Sequence, residues 1–314
     1  LSDETRGYFE LINYVFLCSI VAIFGIVSNV VNIAVFYRQG LNNTVNISFT
    51  GLAISDLGSL VSLLWFDICV SPLFRTLNVP FLPLEVQHLT GGWPRGCFAR
   101  VTNWITVFIT AERCLCITAP LKVNKIITPK RVTAILILIY VFMIVPLIPE
   151  YTTAYLDWKV VEGTNVTLFG LKFTADRPNV EGLASLIYFI YIFMAYFGVV
   201  FLTCLLIYKL KKKTKWRTKL TSQSKQSESL SSRDKKTINM VIVIAIVFIV
   251  CCAPSIILHV IPYIVPGYGV VGAHSNFFFM CWSFGFLFEA VNASVDIILY
   301  YRMSSKYRRT FQDI

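Results

Sequence analysis

Long apolar runs alternate with short polar segments along almost the whole chain. A helix needs about 20 mostly apolar residues to cross a bilayer, and runs of roughly that length recur seven times. The third run carries four charged residues, and the last long apolar stretch (237–288) is divided by a cluster of proline and glycine. The predicted spans are about 10–37, 43–71, 87–117, 129–149, 182–209, 236–262 and 274–301.

A short amphipathic stretch follows the seventh span. Met303, Tyr307 and Phe311 recur at every fourth position, which places them on one face of a helix. Basic residues occupy the positions between them, and a basic amphipathic helix lies on a membrane surface. The pattern therefore predicts an eighth helix at about 303–312. The fold class that follows is an all-α membrane protein, a seven-helix bundle in one domain over residues 1–314.

The basic residues are distributed unevenly between the two faces of this bundle. The segments on the face that includes the C-terminus hold 21 of the 28 Lys and Arg residues, and the opposite face holds 7. Because positive residues mark the cytoplasmic side, the N-terminus is expected outside the cell and the C-terminus inside. The predicted location is the plasma membrane, in a multi-pass arrangement.

Composition excludes several other classes of protein. Hydrophobic residues make up 56% of the chain and charged residues 14%, against about 25% in soluble proteins. Disorder and a disulfide-dense secreted scaffold do not fit this composition or its nine cysteines. The net charge of +11 would suit nucleic acid, but most basic residues flank apolar runs. We therefore expect membrane lipid as the partner of the basic segment 209–236, and no nucleic acid.

Short motifs in five of the spans carry a resemblance to a known family. They are Ser28-Asn29-Val30-Val31, Leu52-Ala53-x-x-Asp56, Ala111-Glu112-Arg113-Cys114, Cys251-Cys252-Ala253-Pro254 and Asn292-Ala293-x-x-Asp296-Ile297-x-x-Tyr300. Because these five motifs occur in this order along seven spans, the chain resembles the class A (rhodopsin-like) G-protein-coupled receptors. The run from Glu112 to Ile117 and the entry Gly91-Gly92-Trp93-Pro94 look most like molluscan-type invertebrate chemosensory or orphan receptors.

The chain also departs from the pattern of that family. Four positions hold a residue other than the usual one, namely Cys114, Tyr140, Cys252 and Ile297. Residues 117–203 contain no cysteine, so the second outer loop cannot form the family's usual disulfide bond to the third helix. The cysteine of the third helix would fall at about His88. Cys69, near the outer face, is the one cysteine with a position suited to pairing.

The resemblance implies a lock at the cytoplasmic face. Neighbouring residues on a helix do not face each other well, so Glu112 is a poor partner for Arg113. Asp234 lies where the family places the acidic end of an inter-helix lock, and Tyr300 belongs to the same cytoplasmic group. An Arg113–Asp234 pair would close a cavity that admits a heterotrimeric G protein. In the alternative, Arg113 only reaches toward lipid headgroups.

A second set of residues matches the positions that surround a sodium ion in the family. Asp56 lies in the middle of an apolar span, and Thr102, Asn292 and Asp296 occupy the matching places. Oxygen ligands suit a hard cation, and two carboxylates in one small site would share a proton and a sodium ion. Sodium is the only cofactor expected. The alternative is a hydrogen-bonded water network without sodium.

Four charged residues in the outer halves of the spans are candidates for ligand binding, namely Asp67, Arg95, Arg100 and Glu289. A buried Arg and Glu at matching depth offset each other's desolvation when they pair. An Arg95–Glu289 pair would be a resting-state lock or a structural ion pair, or Arg95 would instead bind a ligand carboxylate. An arginine at this place disfavours a biogenic amine.

The expected function is therefore a G-protein-coupled receptor for a small chemosensory ligand, which is not an enzyme. The alternatives are a neuropeptide-type receptor of the same family and a seven-span carrier or channel. Residues 276–301 hold no lysine, which excludes a retinal-binding light receptor. The sequon Asn165-Val166-Thr167 predicts glycosylation of Asn165 in an outer loop.

Overall fold

The structure is a computed structural model that describes residues 1–161, 163, 166–220 and 232–313. Side chains at 75, 120, 121, 124, 213–220 and 232–235 are not part of the description. Asn165 therefore lies outside the described residues, and so does the side chain of Asp234. We call the end of the bundle that carries residue 1 the outer end and the opposite end the inner end, after the orientation that the basic residues predict.

Long helices form the bundle. They are α1 (Asp3–Glu10, the π-helical Leu11–Cys18 and Ser19–Gln39), α2 (Thr44–Val70), α3 (Trp93–Thr118), α4 (Pro129–Ile144, continued by Leu147–Thr152), α5 (Arg177–Leu220), α6 (Ser232–Ile264) and α7 (Ser275–Ser294, continued by Asp296–Met303). The short helices of the described chain are Pro72–Arg75, Pro83–Gln87, the π-helical His88–Gly92 and Pro120–Ile126. The last helix, α8, is Ser305–Gln312.

Six of the described helices are long and apolar enough to cross a membrane, and α3 is not among them. This helix has 26 residues, which is sufficient length. Its charged residues lower the mean hydropathy, and they are Arg95, Arg100, Glu112 and Arg113. The chain thus has a helix where the third span is predicted, and its charges distinguish it from the other six.

Side-chain caps fix where three of the helices begin. Asn43 accepts a hydrogen bond from the backbone N–H of Val45, and Thr128 accepts one from Arg131. Ser304 accepts one from Tyr307 at the start of α8. Such side chains satisfy N–H groups that have no partner within the helix, so the turns between helices are set locally.

Close contacts hold α7 against α1. A Cβ atom added to Gly25 would lie 2.1 Å from the Oγ atom of Ser294, so only glycine permits this approach. The amide of Asn29 donates to the carbonyl oxygen of Ala293 at 2.8 Å. At the inner end, Tyr307 of α8 is buried against Phe36. The apolar face of α8 therefore packs partly on the bundle and not only on a membrane.

The fold is mostly helical, but the outer loop between α4 and α5 also contains a two-stranded sheet, which the sequence analysis did not predict. Strand β1 (Ala154–Val160) pairs antiparallel with β2 (Thr167–Phe173). The rings of Trp158 and Phe169 face each other across the strands, with centroids 5.7 Å apart. Cross-strand aromatic pairs of this kind stabilise a sheet.

The hairpin is joined to the loop between α2 and α3. The Oε2 atom of Glu85 accepts a hydrogen bond from the backbone N–H of Leu171 at 2.8 Å, and the same carboxylate pairs with Lys159. The backbone of Phe169 bonds to Pro80 and Leu82. The nine cysteines, all within the described chain, form no disulfide bond, and Cys69 is buried. These bonds position the loop that a disulfide bond would otherwise tie to α3.

Candidate functional site

A cavity of about 170 Å³ opens between α2, α3, α5, α6 and α7 in the outer half of the bundle. Its walls are largely apolar and include Ile192, Phe248 and Trp282. The lining also includes three of the four predicted ligand-binding residues, Arg95, Arg100 and Glu289. The structure therefore brings these three charged residues together in one cavity, among largely apolar walls.

Arg95 and Glu289 form an ion pair that joins α3 to α7. Ser255 of α6 donates a hydrogen bond to the second carboxylate oxygen of Glu289 at 2.8 Å. The guanidinium carbon of Arg95 lies 3.7 Å from the ring centroid of Phe286, a cation–π contact. The Arg95 side chain is 11% exposed and that of Glu289 is 25% exposed. Three helices thus meet at one partly buried pair of opposite charges.

Arg100 lies in the same cavity without an acidic partner. It is 7% exposed, and its guanidinium carbon lies 3.7 Å from the ring centroid of Tyr188. Among the described residues, its Nε and Nη2 atoms have no hydrogen-bond partner. Glu150, a nearby acid, instead pairs with Arg177 at 3.4 Å. Arg100 is therefore a buried cation whose charge is not neutralised by hydrogen-bonded contact.

Asp67 lies apart from the other three predicted ligand-binding residues. Its carboxylate is buried between α1 and α2, where Ser19 donates a hydrogen bond to it at 3.3 Å. It is not among the residues that line the outer cavity. The geometry favours a role for Asp67 in packing of α1 on α2 over direct contact with a ligand.

Three of the four predicted sodium-binding residues, Asp56, Thr102 and Asn292, line the cavity, and Asp296 does not. Thr102 donates a hydrogen bond to Oδ1 of Asp56 at 2.7 Å, and Asn292 lines the same cavity. The carboxylate of Asp296 instead accepts a hydrogen bond from Tyr300 at 3.3 Å. The described chain has no cluster of three or more His, Cys, Asp or Glu side chains suited to a metal ion. The sodium site therefore stays a prediction.

A second and larger cavity, of about 720 Å³, opens at the inner end. Its lining includes Glu112, Arg113 and Tyr300, together with residues at the start of α8. Three of the four residues predicted for the cytoplasmic lock therefore face one space. Asp234, the fourth, has its side chain outside the described part of the chain.

Arg113 pairs with its neighbour, so the expectation that Glu112 would be a poor partner is wrong. The Nη2 atom of Arg113 lies 2.8 Å from Oε1 of Glu112, and both side chains are nearly fully buried. The rule on helix neighbours describes exposed helix surfaces. In a buried setting, the cost of an unpaired charge is large enough to bend two long side chains toward each other.

The comparison with known families decides what kind of protein has this arrangement. A family model described as serpentine type 7TM GPCR chemoreceptor Srw matches residues 13–314. The chain belongs to this chemoreceptor family. No curated protein matches the chain significantly. Membership implies a multi-pass membrane receptor with an extracellular ligand and coupling to a G protein, in a family that is typically non-enzymatic. The molluscan-type placement stays a prediction.

The structure of this Srw chemoreceptor adds residues that the sequence analysis missed. Phe286 lies three positions before Glu289, so both are on one face of α7, and this spacing was a usable signal. Ser255 follows the Cys-Cys-Ala-Pro motif directly, and it is a serine among apolar neighbours of α6. Tyr188, which stacks on Arg100, carried no such signal because α5 is rich in aromatic residues.

Proposed function

We propose that this chemoreceptor binds a small extracellular molecule in its outer cavity and activates a heterotrimeric G protein at its inner cavity. It acts in the manner of a class A receptor of the plasma membrane, with its N-terminus outside and all seven long helices spanning the bilayer. Binding shifts an equilibrium between two conformations, and the differential affinity of the ligand for them supplies the energy.

The observation that carries this proposal is that α3 and α7 contribute to both cavities. Arg95 and Arg113 lie 18 residues apart on α3, a distance of about 27 Å at 1.5 Å per residue. Glu289 and Tyr300 are the corresponding residues on α7. A change in the Arg95–Glu289 pair therefore acts on the two helices whose other ends line the inner cavity.

The Arg95–Glu289 pair serves in this mechanism as the lock of the resting state. It spans the outer halves of α3 and α7, and Ser255 connects it to α6. A ligand that enters beside the pair competes for its hydrogen bonds and changes the spacing of the three helices. Because packed helices move as units, a small outer shift changes the width of the inner cavity.

The geometry disfavours a carrier and favours a small ligand over a peptide. Among the described residues, no side chain lines both cavities, whereas a carrier needs a polar path that reaches both faces. The outer cavity, at about 170 Å³, is small for the side chains of a folded peptide. A neuropeptide-type receptor is thus the second outcome to test.

Sodium binding is a further part of the proposal. Asp56, Thr102 and Asn292 would hold the ion, which would neutralise the Asp56 carboxylate within the bundle. Sodium chloride is expected to raise the melting temperature of the wild-type protein more than N-methylglucamine chloride does. For Asp56→Asn, the two salts are expected to give the same melting temperature. Equal stabilisation of both proteins by sodium would contradict this site.

Nucleotide exchange on a purified G protein tests the proposed function. The receptor is placed in lipid nanodiscs with heterotrimeric G proteins and a panel of small acids, amino acids, amines and short peptides. We expect ligand-dependent exchange from wild type and none from Arg113→Ala, with Lys172→Ala as the control for substitution of a basic residue at the surface. Ligand binding without exchange in any G-protein class would contradict signalling through a G protein. A response restricted to peptides would favour the neuropeptide alternative.

A further inference from the structure

The two arginines of the outer cavity differ in how their charges are satisfied. Arg95 has the Glu289 carboxylate as its partner, so their charges largely cancel. Arg100 makes no ion pair within the described part of the chain, and its guanidinium lies over the ring of Tyr188. The acid whose charge reaches Arg100, Glu150, is already bound to Arg177. Among the described residues, the cavity therefore contains one arginine in an ion pair and one arginine whose nearest acid is paired with another residue.

Burial of an isolated charge is unfavourable because the charge loses its hydration, and Arg100 is only 7% exposed. Two of its guanidinium nitrogen atoms are buried without a hydrogen-bond partner among the described residues. Burying such a group without a partner carries a desolvation cost that nearby contacts do not repay. A ligand that supplies an anion at this place would recover part of that cost on binding, which gives it a source of affinity that a neutral molecule lacks.

Small residues leave room beside the guanidinium group. Gly96 and Ala99 line the cavity on the same helix as Arg100. A Cβ atom added to Gly96 would lie 3.2 Å from Nη1 of Arg100, so the glycine borders the side of the guanidinium that faces the cavity. A carboxylate can approach that side, and guanidinium and carboxylate form paired hydrogen bonds of matching geometry.

We propose that Arg100, and not Arg95, is the anchor for a ligand carboxylate, and that the ligand is a small organic acid with a short apolar body. This proposal rests on the proposed function of the outer cavity. The apolar body fits against walls that include Ile192, Phe248 and Trp282. A carboxylate can come from a free short-chain acid or from the C-terminus of a peptide, and the test separates these sources.

The test measures binding directly, without a G protein. Purified receptor in nanodiscs is titrated with straight-chain monocarboxylates of increasing length, their primary amides, and tripeptides with a free or an amidated C-terminus. Wild type is expected to bind an acid at least about tenfold more tightly than its amide, the gain of a charge-assisted pair over a neutral one. In Arg100→Gln this preference falls to about twofold or less, whereas Lys172→Ala keeps it.

A second variant protects the test against a failure of Arg100→Gln to fold. Gly96→Ala keeps the arginine and places a methyl group against Nη1, so it is expected to weaken the acid more than the amide. A preference for acids that survives in both variants would overturn the proposal, and so would equal binding of acids and amides by wild type or no binding of any carboxylate. Preference for tripeptides with a free C-terminus over all free acids would overturn the small-acid assignment.

Acid binding that is intact in a receptor with no nucleotide exchange would reject the proposed function and leave the Arg100 site standing.

Discussion

The two cavities of this chemoreceptor contain the same kind of ion pair, but the pairs connect different parts of the fold. In the outer cavity, Arg95 of α3 pairs with Glu289 of α7. In the inner cavity, Arg113 of α3 pairs with the adjacent Glu112. A pair between helices resists their separation, whereas a pair within one helix places no such limit on its neighbours. This difference agrees with the volumes, about 170 Å³ outside and about 720 Å³ inside.

The comparison teaches that a buried arginine can serve as a lock only if its partner lies on another element. Arg95 meets that condition through Glu289 and through the neighbouring Ser255 of α6. Arg113 does not meet it within the side chains that the structure describes. Among the described side chains, the ion pair of the outer cavity thus joins two helices, and that of the inner cavity lies within α3.

The largest expected effect comes from breaking the outer pair. Glu289→Met leaves Arg95 without its counter-charge, and the expected loss is about 2 to 3 kcal/mol, below the range for fully buried pairs because Glu289 is 25% exposed. Arg95→Met is expected to cost a similar amount. The double variant should be more stable than either single one, because no charge is stranded. Thermal unfolding of the four proteins in one detergent measures this coupling.

Additive losses in that cycle would show that the two residues do not act as a pair, and the comparison between cavities would fail. Asp157→Asn is the control, since it removes an exposed carboxylate of the outer hairpin whose partner is Lys172. The cycle through Arg95 and Asp157 is expected to show little coupling.

A milder change at the inner pair, which keeps a polar side chain at residue 112, is expected to have a smaller effect on stability. Glu112→Gln keeps a hydrogen-bond acceptor beside Arg113, and Arg113 faces a large cavity. The expected loss is about 1 kcal/mol. Because Arg113 is then less firmly held, G-protein nucleotide exchange without ligand is expected to rise. A stability loss larger than that of Glu289→Met, measured by the same thermal unfolding, would reverse the proposed ranking of the two pairs.

The helices of this fold were predictable from the sequence because a bilayer demands long apolar runs. The charges of α3 obscured one of them, since Arg95, Arg100 and Arg113 are tolerated only through contacts with other parts of the fold. Arg95 and Glu289 could be placed together because their depths match. The partner of Arg113 could not, because a rule for exposed helix surfaces does not describe side chains that are buried together.

The outer hairpin was not predictable from the same reasoning. Its strands are short, and their alternation of polar and apolar residues is weak in β1. The contacts that hold the hairpin come from Glu85, which lies far away in the sequence. A single sequence carries no signal for such a pairing. The family resemblance would have fixed the outer loop to α3 through a disulfide bond, but this chain lacks the cysteine for it.

A substitution at the hairpin sharpens the description of the outer end. Glu85→Ala removes the acceptor for the Leu171 N–H and the partner of Lys159. The expected cost is about 1 kcal/mol, confined to the hairpin, because both charged groups are about one-third exposed. Hydrogen exchange is expected to speed up at the amides of β2 while the amides of α3 keep their protection. Unchanged exchange in β2 would mean that the backbone bonds to Pro80 and Leu82 suffice.

The smallest expected effect concerns the exposed pair of Asp157 and Lys172 across the two strands. The hydrogen bond from Lys172 holds the pKa of the Asp157 carboxyl below its ordinary value of 3.8. A carboxyl with a lowered pKa contributes stability above its unfolded-state pKa and loses it as the pH falls through the folded-state pKa. Acidification below about pH 4 should therefore loosen the hairpin slightly, and Asp157→Asn should remove this dependence. Hydrogen exchange at several pH values checks it, and an equal response in Asp157→Asn would assign the change to another group.

The most direct test of the central claim is a charge exchange at the outer lock, read by nucleotide exchange on the G protein without ligand. We predict that Arg95→Glu and Glu289→Arg each raise ligand-independent exchange, because like charges then separate α3 from α7. The double variant is predicted to return exchange toward the wild-type level, since it restores an ion pair between the same two helices. The account would be contradicted if the folded double variant were as active as the single variants, or if the folded single variants matched the wild type.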